Sequence, residues 1–225
     1  MPLMVQNVAG YLITLTAAVS VGHLGAPEHA AATLANSAYI ITGLSLVTGL
    51  ESAMETLCGQ AYGARDFRAM GELLQRALLI YWTACVPVAL LWSQAPTLLA
   101  AMGQRPEIAA EAGRYLLKLF PCVFLVVTAD VMRKYLVAQG LAVPGMVATA
   151  CAALAAPLFF HLALNCAGWG LAGAAAAMAA THATAVLGLL AFIVWSVLWG
   201  VVHRHPSRDC HWVSPLEGGS QASIS

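Results

Sequence analysis

Residues 49–65 of this chain read GLESAMETLCGQAYGAR, a polar stretch that directly follows a long apolar run. Glu51 and Glu55 are four residues apart and therefore share one face of a helix. Gly59 and Gly63 form a small-xxx-small step, on which the backbone of another helix can rest closely. Two interpretations stay open for this stretch: it is the solvated end of a membrane helix that leads into a loop, or its carboxylates serve a function at membrane depth.

The amino-acid composition indicates whether the chain resides in water or in a membrane. Hydrophobic residues make up 60% of the sequence and charged residues 9%, whereas about 25% of the residues of a soluble domain are charged. The sequence therefore predicts an all-α polytopic membrane protein with the lipid bilayer as its first partner. The formal net charge is zero, and no basic patch with interleaved aromatic residues is present, which argues against nucleic-acid binding.

The cysteines and histidines do not predict a metal site. The six cysteines contain no CxxC pair, and four of them lie within or beside apolar runs, as is typical of small core residues. His203, His205, Cys210 and His211 lie close together in the sequence, but their spacing matches no standard zinc pattern. We therefore predict neither a metal nor a cofactor.

Six apolar segments are long enough to cross a bilayer. They cover approximately residues 3–21, 29–50, 73–95, 116–138, 144–165 and 170–202. Residues 1–202 are thus predicted to form one transmembrane six-helix lobe, and residues 203–225 a disordered tail. Pro121 is expected to break the fourth span, and a short, solvated amphipathic helix beginning at Pro106 is expected before it.

The distribution of lysine and arginine predicts the orientation of the lobe. Most of these residues fall after the second, fourth and sixth segments, and fewer fall in the intervening loops. By the positive-inside tendency, both termini and the tail are expected to be cytoplasmic.

The amino-acid sequences of several segments resemble motifs of one transporter family. Residues 54–64, METLCGQAYGA, closely resemble the signature of the plant-type branch of the multidrug and toxic compound extrusion (MATE) transporters, also called the DETOXIFICATION family. Similar matches to the family occur in order along the chain, namely VGHLG at 21–25, MGQRPEI at 102–108, Arg133, Leu136 and Gln139 in an R-F-L-Q-x-Q pattern, and GLAGAA at 170–175. The resemblance extends to about His203 and implies a six-helix bundle equivalent to the N-terminal lobe of such a transporter.

The resemblance also implies a function. It suggests secondary-active efflux of organic cations, secondary metabolites or xenobiotics by proton antiport, driven by the proton gradient in a vacuolar or plasma membrane. A small organic substrate and a second six-helix lobe would be the partners. This chain departs from the family pattern in that its first span holds no acidic residue, and plant-type members keep their coupling acids in the other lobe.

Three groups of residues are candidates for that function. The candidates for transport or gating are Asn36, Tyr39, Glu51, Glu55, Gln60 and Tyr62. The candidate helix-contact glycines are Gly59, Gly63, Gly170 and Gly173, and the candidate ion pair is Asp130 with Arg133. Simpler interpretations stay open for some of these and their neighbours: serines and threonines that bond to their own helix, a structural ion pair at a helix end, and His161 and His182 as packing residues.

Two other classes of function are weighed against transport. One is a non-transporting membrane polypeptide, such as a truncated splice product or a partial gene model. The other is an intramembrane enzyme, which is disfavoured because neither HExxH nor GxSxG occurs in the sequence.

Overall fold

Helices account for nearly all of residues 1–198, the part of the chain that this computed structural model describes. Within that range there are eight α-helices: α1 (Pro2–Gly22), α2 (Ala26–Ala38), α3 (Ser45–Gly63), α4 (Phe67–Ser93), α5 (Ala95–Ala101), α6 (Pro106–Ala138), α7 (Ala142–His161) and α8 (Gly170–Leu198). A π-helical segment, Tyr39–Leu44, joins α2 to α3, and a second, Leu162–Cys166, extends α7.

Six of these helical stretches are long and apolar enough to span a membrane. They are Pro2–Gly22, Ala26–Gly63, Phe67–Ser93, Pro106–Ala138, Ala142–Cys166 and Gly170–Ser196. The all-α fold with six spans is therefore confirmed, and the chain is a multi-pass integral membrane protein. The predicted tail, residues 203–225, lies outside the described residues, as do the histidines weighed there for metal binding.

The second span is longer than the sequence predicts. It continues as one helical run beyond residue 50, so the expected boundary there is wrong. The helix ends at Gly63, and just beyond it the positive φ of 57° at Arg65 lets the amides of Arg65 and Asp66 bond back to the carbonyls of Tyr62 and Ala61. The glutamates of residues 49–65 therefore lie on a continuous helix rather than at its frayed end.

The fourth span also corrects two predictions. Pro106 does not start a separate, solvated helix, because α6 runs without interruption for 33 residues and passes through Pro121. The first turns of α6 carry an apolar stripe of buried residues, Ala109, Ala112 and Leu116, which packs inward. Pro121 itself is exposed at the edge of the bundle, where membrane helices tolerate the one lost backbone bond.

Helix α6 is the centre of the bundle. It packs against α2, α3, α4 and α5 on one side and against α7 and α8 on the other. Leu116, Val127, Val131 and Leu136 on this helix are fully buried. Helix α1 lies further out and packs mainly on α7. We call the end of the bundle where α3 and α6 finish the basic end, because Arg65, Arg68, Arg133 and Lys134 lie there, and the opposite end the far end.

A fully buried tryptophan fastens α4 to the first π-helical segment. The indole Nε1 of Trp92 donates a hydrogen bond of 2.8 Å to Oγ1 of Thr42. Its ring lies 5.8 Å from the Tyr39 ring, centre to centre. A Cβ placed on Gly43 would come within 3.2 Å of the same indole, so glycine allows the close approach. The wide π turn is thus held against α4 by one side chain.

A second close approach joins α5 to α6. A Cβ added to Gly113 would overlap the ring of Pro96, with Cδ at 2.7 Å and the backbone nitrogen at 3.2 Å. We therefore expect Gly113→Ala to lower the free energy of unfolding by about 1–3 kcal/mol, because a rigid ring and a backbone atom cannot move aside cheaply. Thermal unfolding in detergent, followed by size-exclusion chromatography, measures the effect.

Gly71, in the interior of α4, supplies the matched control for this substitution. A Cβ there would meet nothing within 4 Å, so Gly71→Ala should leave stability unchanged or raise it by about 0.5–1 kcal/mol. Equal behaviour of the two variants would contradict the close packing of α5 on α6.

Candidate functional site

A cavity opens between α1, α2, α6 and α8 in the half of the bundle toward the far end. Its volume is about 290 Å³, close to the lower bound of about 300 Å³ for ligand pockets in proteins. Apolar residues form most of its wall, and the polar groups that line it are Thr14, His29, Thr33, Asn36, Tyr39 and Tyr115. The mixture of apolar wall and few polar groups is typical of a site for a small organic molecule.

The hydroxyls of this cavity are largely used within their own helices. Thr33 donates to the carbonyl of His29 at 2.8 Å, and Thr14 donates to the carbonyl of Gly10 at 3.3 Å. Asn36, by contrast, is exposed, and its side-chain amide forms no hydrogen bond with residues 1–198. Asn36 is therefore the group best placed to bond to a solute in the cavity, with the buried Tyr39 beside it.

The acidic candidates lie elsewhere, toward the basic end. Lys134 on α6 donates to Oε2 of Glu55 on α3 at 2.8 Å. One turn nearer the membrane interior, Glu51 lies within electrostatic range of both Arg133 and Lys134. We call Glu51, Glu55, Asp130, Arg133 and Lys134 together the charge cluster.

The two ion pairs of the charge cluster differ in their exposure to solvent. The side chains of Glu55 and Lys134 are 55% and 32% exposed, so water screens their attraction. Arg133 pairs with Asp130 on the same helix, where the two side chains are only 22% and 17% exposed. Water screens the Asp130–Arg133 pair much less, so each of these two charges depends on the other for its compensation.

Two of the transport candidates lie outside both sites. Gln60 is exposed on α3, and the half-buried Tyr62 packs edge-on against Phe67 with the ring centres 6.1 Å apart. Both lie in the last turns of α3 before it ends at the basic end. The structure brings neither to the cavity nor to the charge cluster.

The four candidate contact glycines fall into two groups, one with a close neighbour and one without. A Cβ on Gly173 would lie 2.8 Å from the carbonyl oxygen of Ala163 and 3.1 Å from Cβ of Trp169, so the π-helical segment rests closely on it. A Cβ on Gly59, Gly63 or Gly170 would meet nothing within 4 Å among residues 1–198. For these three the helix contact stays a prediction; within that part of the chain the buried face of α3 carries Met54 and Cys58.

Sequence reasoning missed the partner of Glu55. Lys134 is 79 positions away, and helical spacing relates only residues of the same helix. One signal was available: Glu51 and Glu55 follow the second predicted span and Arg133 and Lys134 end the fourth, so both pairs fall at the same end of the bundle, where opposite charges near membrane depth seek partners. Among the described residues, no group of three or more His, Cys, Asp or Glu side chains is arranged to hold a metal ion.

Comparisons with known proteins point in one direction. The sequence profile of the MatE family matches residues 2–162. Protein DETOXIFICATION 13 of Arabidopsis thaliana is 37% identical over 150 residues, which are 67% of this chain and 31% of that protein. Protein DETOXIFICATION 12 of the same plant is 32% identical over 196 residues, or 87% of this chain and 40% of the relative.

A solved structure shows the same helical arrangement. The crystal structure of the eukaryotic MATE transporter AtDTX14 superposes with a TM-score of 0.85 at 28% identity, over 92% of this chain and 46% of that one. This chain thus spans less than half the length of the relatives described above.

Proposed function

This chain belongs to the MatE family of multidrug and toxic compound extrusion transporters, and from this membership and the cavity described above we propose that it supplies one helical half of a secondary-active efflux transporter. The proposed substrates are small organic cations, secondary metabolites or xenobiotics. Exchange for protons would drive their export, with the proton gradient as the only source of energy. The second partner would be another six-helix half, which closes the cavity from the other side.

The cavity is the observation that carries this proposal. Its lining combines aromatic rings, which attract organic cations, with an asparagine amide that has no partner in residues 1–198. Its walls come from four different helices, so small rotations of α1 or α2 relative to α6 would change its width. A site between separate helices suits alternating access.

The proposed orientation follows from the arginines and lysines of the basic end. The positive-inside tendency places that end in the cytoplasm. The cavity would then open toward the vacuolar lumen or the cell exterior, and the charge cluster would lie on the cytoplasmic side. The two host membranes, vacuolar and plasma, are both compatible with that placement.

A binding experiment on this chain tests the proposal. We expect the purified protein in lipid nanodiscs to bind a fluorescent organic cation such as ethidium. Asn36→Ala should weaken that binding about fivefold, the equivalent of one lost hydrogen bond of about 1 kcal/mol. Fluorescence anisotropy across a concentration series measures the dissociation constant.

Ser37→Ala is the matched control, because Ser37 is the next residue of α2 but lines a different pocket, between α2, α4, α5 and α6. It should bind the dye as the unmodified chain does. Folded protein that binds no organic cation would favour the other class of function, a membrane polypeptide that does not transport.

A further inference from the structure

One carboxylate of the charge cluster has no ionic partner. The cluster contains three carboxylates and two cations, and Glu55 and Asp130 already engage Lys134 and Arg133. Glu51 forms no ion pair and no hydrogen bond with residues 1–198. With every member ionised, the cluster would therefore carry one uncompensated negative charge.

The position of Glu51 makes that charge unfavourable. Helix α3 ends at Gly63, so at 1.5 Å per residue Glu51 lies about 18 Å from the basic end of its helix. Its side chain is half-buried. An ionised carboxylate that is half-buried within a span and has no partner is disfavoured, and a proton is the smallest group that neutralises it.

A buried hydroxyl on α4 lies near Glu51. Tyr81 is 3% exposed, and its hydroxyl oxygen has no hydrogen-bond partner in the described part of the chain. It lies within electrostatic range of Glu51. Since α4 begins at Phe67, Tyr81 is about 21 Å along its helix from the basic end, at nearly the depth of Glu51. A phenol can donate to a carboxylate or accept from a carboxylic acid.

From this arrangement we infer that Glu51 is a proton-binding carboxylate of this half-transporter, with the Tyr81 hydroxyl as its neutral partner. The proton comes from a hydronium ion on one side of the membrane, forms the O–H bond of the carboxylic acid, and returns to water on the other side. No other bond is made or broken.

The groups that face Glu51 set the conditions for this titration. Its own helix contributes Glu55, and α4 contributes Tyr81, with Arg76 nearby already paired to Glu72 at 3.3 Å. Helix α6 contributes the two cations and Asp130, and His182 of α8 lies beyond Arg133. The titration of Glu51 is therefore measured together with variants of its charged neighbours.

The second span connects this proton site to the cavity. Tyr39 lines the cavity from the π-helical segment, and Glu51 lies 12 positions later on the same continuous run. Protonation of Glu51 removes the uncompensated negative charge of the cluster, which lowers the attraction of this half for a cation. Resting on the function proposed above, this would make proton and organic cation compete, as antiport requires.

Infrared difference spectroscopy tests the proton site without any transport. Purified protein in nanodiscs is titrated from neutral to acidic pH, and the C=O stretch of protonated carboxylic acids is recorded. We expect Glu51→Gln to remove a narrow band at high frequency, typical of a weakly hydrogen-bonded acid. Glu55→Gln, four residues away on the same helix, should remove only the broad band of a solvated acid. Tyr81→Phe should shift the narrow band to higher frequency.

Three results would overturn the inference. One is a narrow band that survives in Glu51→Gln, another is a band that Tyr81→Phe leaves unmoved, and the third is a band that added sodium ions abolish at constant pH, which would indicate a metal-cation site. If Glu51→Gln does not fold, Glu51→Asp should keep the acid band at a shifted frequency, and its absence there would count against the proton site. A chain that shows the band but binds no organic cation would instead overturn the proposed transport function alone.

Discussion

Trp92→Ala is expected to lower the free energy of unfolding by about 3–5 kcal/mol, the usual range for truncation of a large buried aromatic residue. Trp92 is 1% exposed and connects α4 with the π-helical segment through a 2.8 Å hydrogen bond to Thr42. Removal of the indole leaves a void next to Gly43 and takes the N–H donor away from Oγ1 of Thr42, whose hydroxyl still donates to the carbonyl of Ala38. The backbone of a π turn has a weaker hydrogen-bond geometry than an α-helix, so we expect the turn to lose order first.

Two variants separate the contributions of Trp92. Trp92→Phe keeps most of the ring and loses the N–H donor, so it should lower stability by only about 1 kcal/mol. Trp82, on the same helix, is 42% exposed, and Trp82→Ala should therefore cost clearly less than Trp92→Ala. Thermal unfolding in one detergent compares all three, and equal losses for Trp82→Ala and Trp92→Ala would contradict the role of the π-helical contact.

Arg133→Met is expected to lower the free energy of unfolding by about 3–5 kcal/mol, because it leaves Asp130 buried without its counter-ion. The side chain of Asp130 is only 17% exposed, so water cannot replace the guanidinium. Asp130→Leu should be destabilising for the reverse reason. Denaturation in mixed micelles, or thermal unfolding where denaturation is not reversible, measures both.

The double variant distinguishes charge from packing. Asp130→Leu with Arg133→Met removes both charges, and it should recover much of the loss of either single variant. Glu55→Gln with Lys134→Gln is the matched control, since that pair is half-exposed and is expected to contribute no more than about 1 kcal/mol. A double variant at positions 130 and 133 that is as unstable as the sum of the single variants would show that packing, rather than charge, is lost.

The sequence predicts the number and order of the spans because apolar segments of this length are typical of helices that cross a lipid bilayer. It does not predict which face of each helix is buried. In a soluble protein the apolar face marks the core, but here lipid and protein are both apolar. Helix α1 shows this, since the apolar Met4 and Tyr11 are 71% and 78% exposed while the small Ala9 is buried. The pairing of Glu55 with Lys134 and the contact of Trp92 with Thr42 depend on those hidden faces.

The end of the second span is the other feature that the sequence does not predict. The charged residues after residue 50 predict that the second span ends there, but the helix continues through them, and Glu55 pairs with Lys134 on α6. The helix ends at Gly63, and Arg65, two residues later, adopts a left-handed conformation more typical of glycine. Apolar content alone carries no information about a helix that continues through paired charges.

The packing of α1 on α7 has a consequence for how the chain is made. About 120 residues separate the end of α1 from the start of α7, which ribosomes take about 6–24 s to synthesise at 5–20 residues per second. Throughout that interval α1 resides in the bilayer without the neighbour that it packs against most, exposing to lipid or to insertion factors the surface around Ala9 and Ile13 that α7 later helps to cover. Helix α1 is thus among the last of the described helices to meet its main neighbour, so errors in biogenesis should appear as loss of α1 from an otherwise assembled bundle.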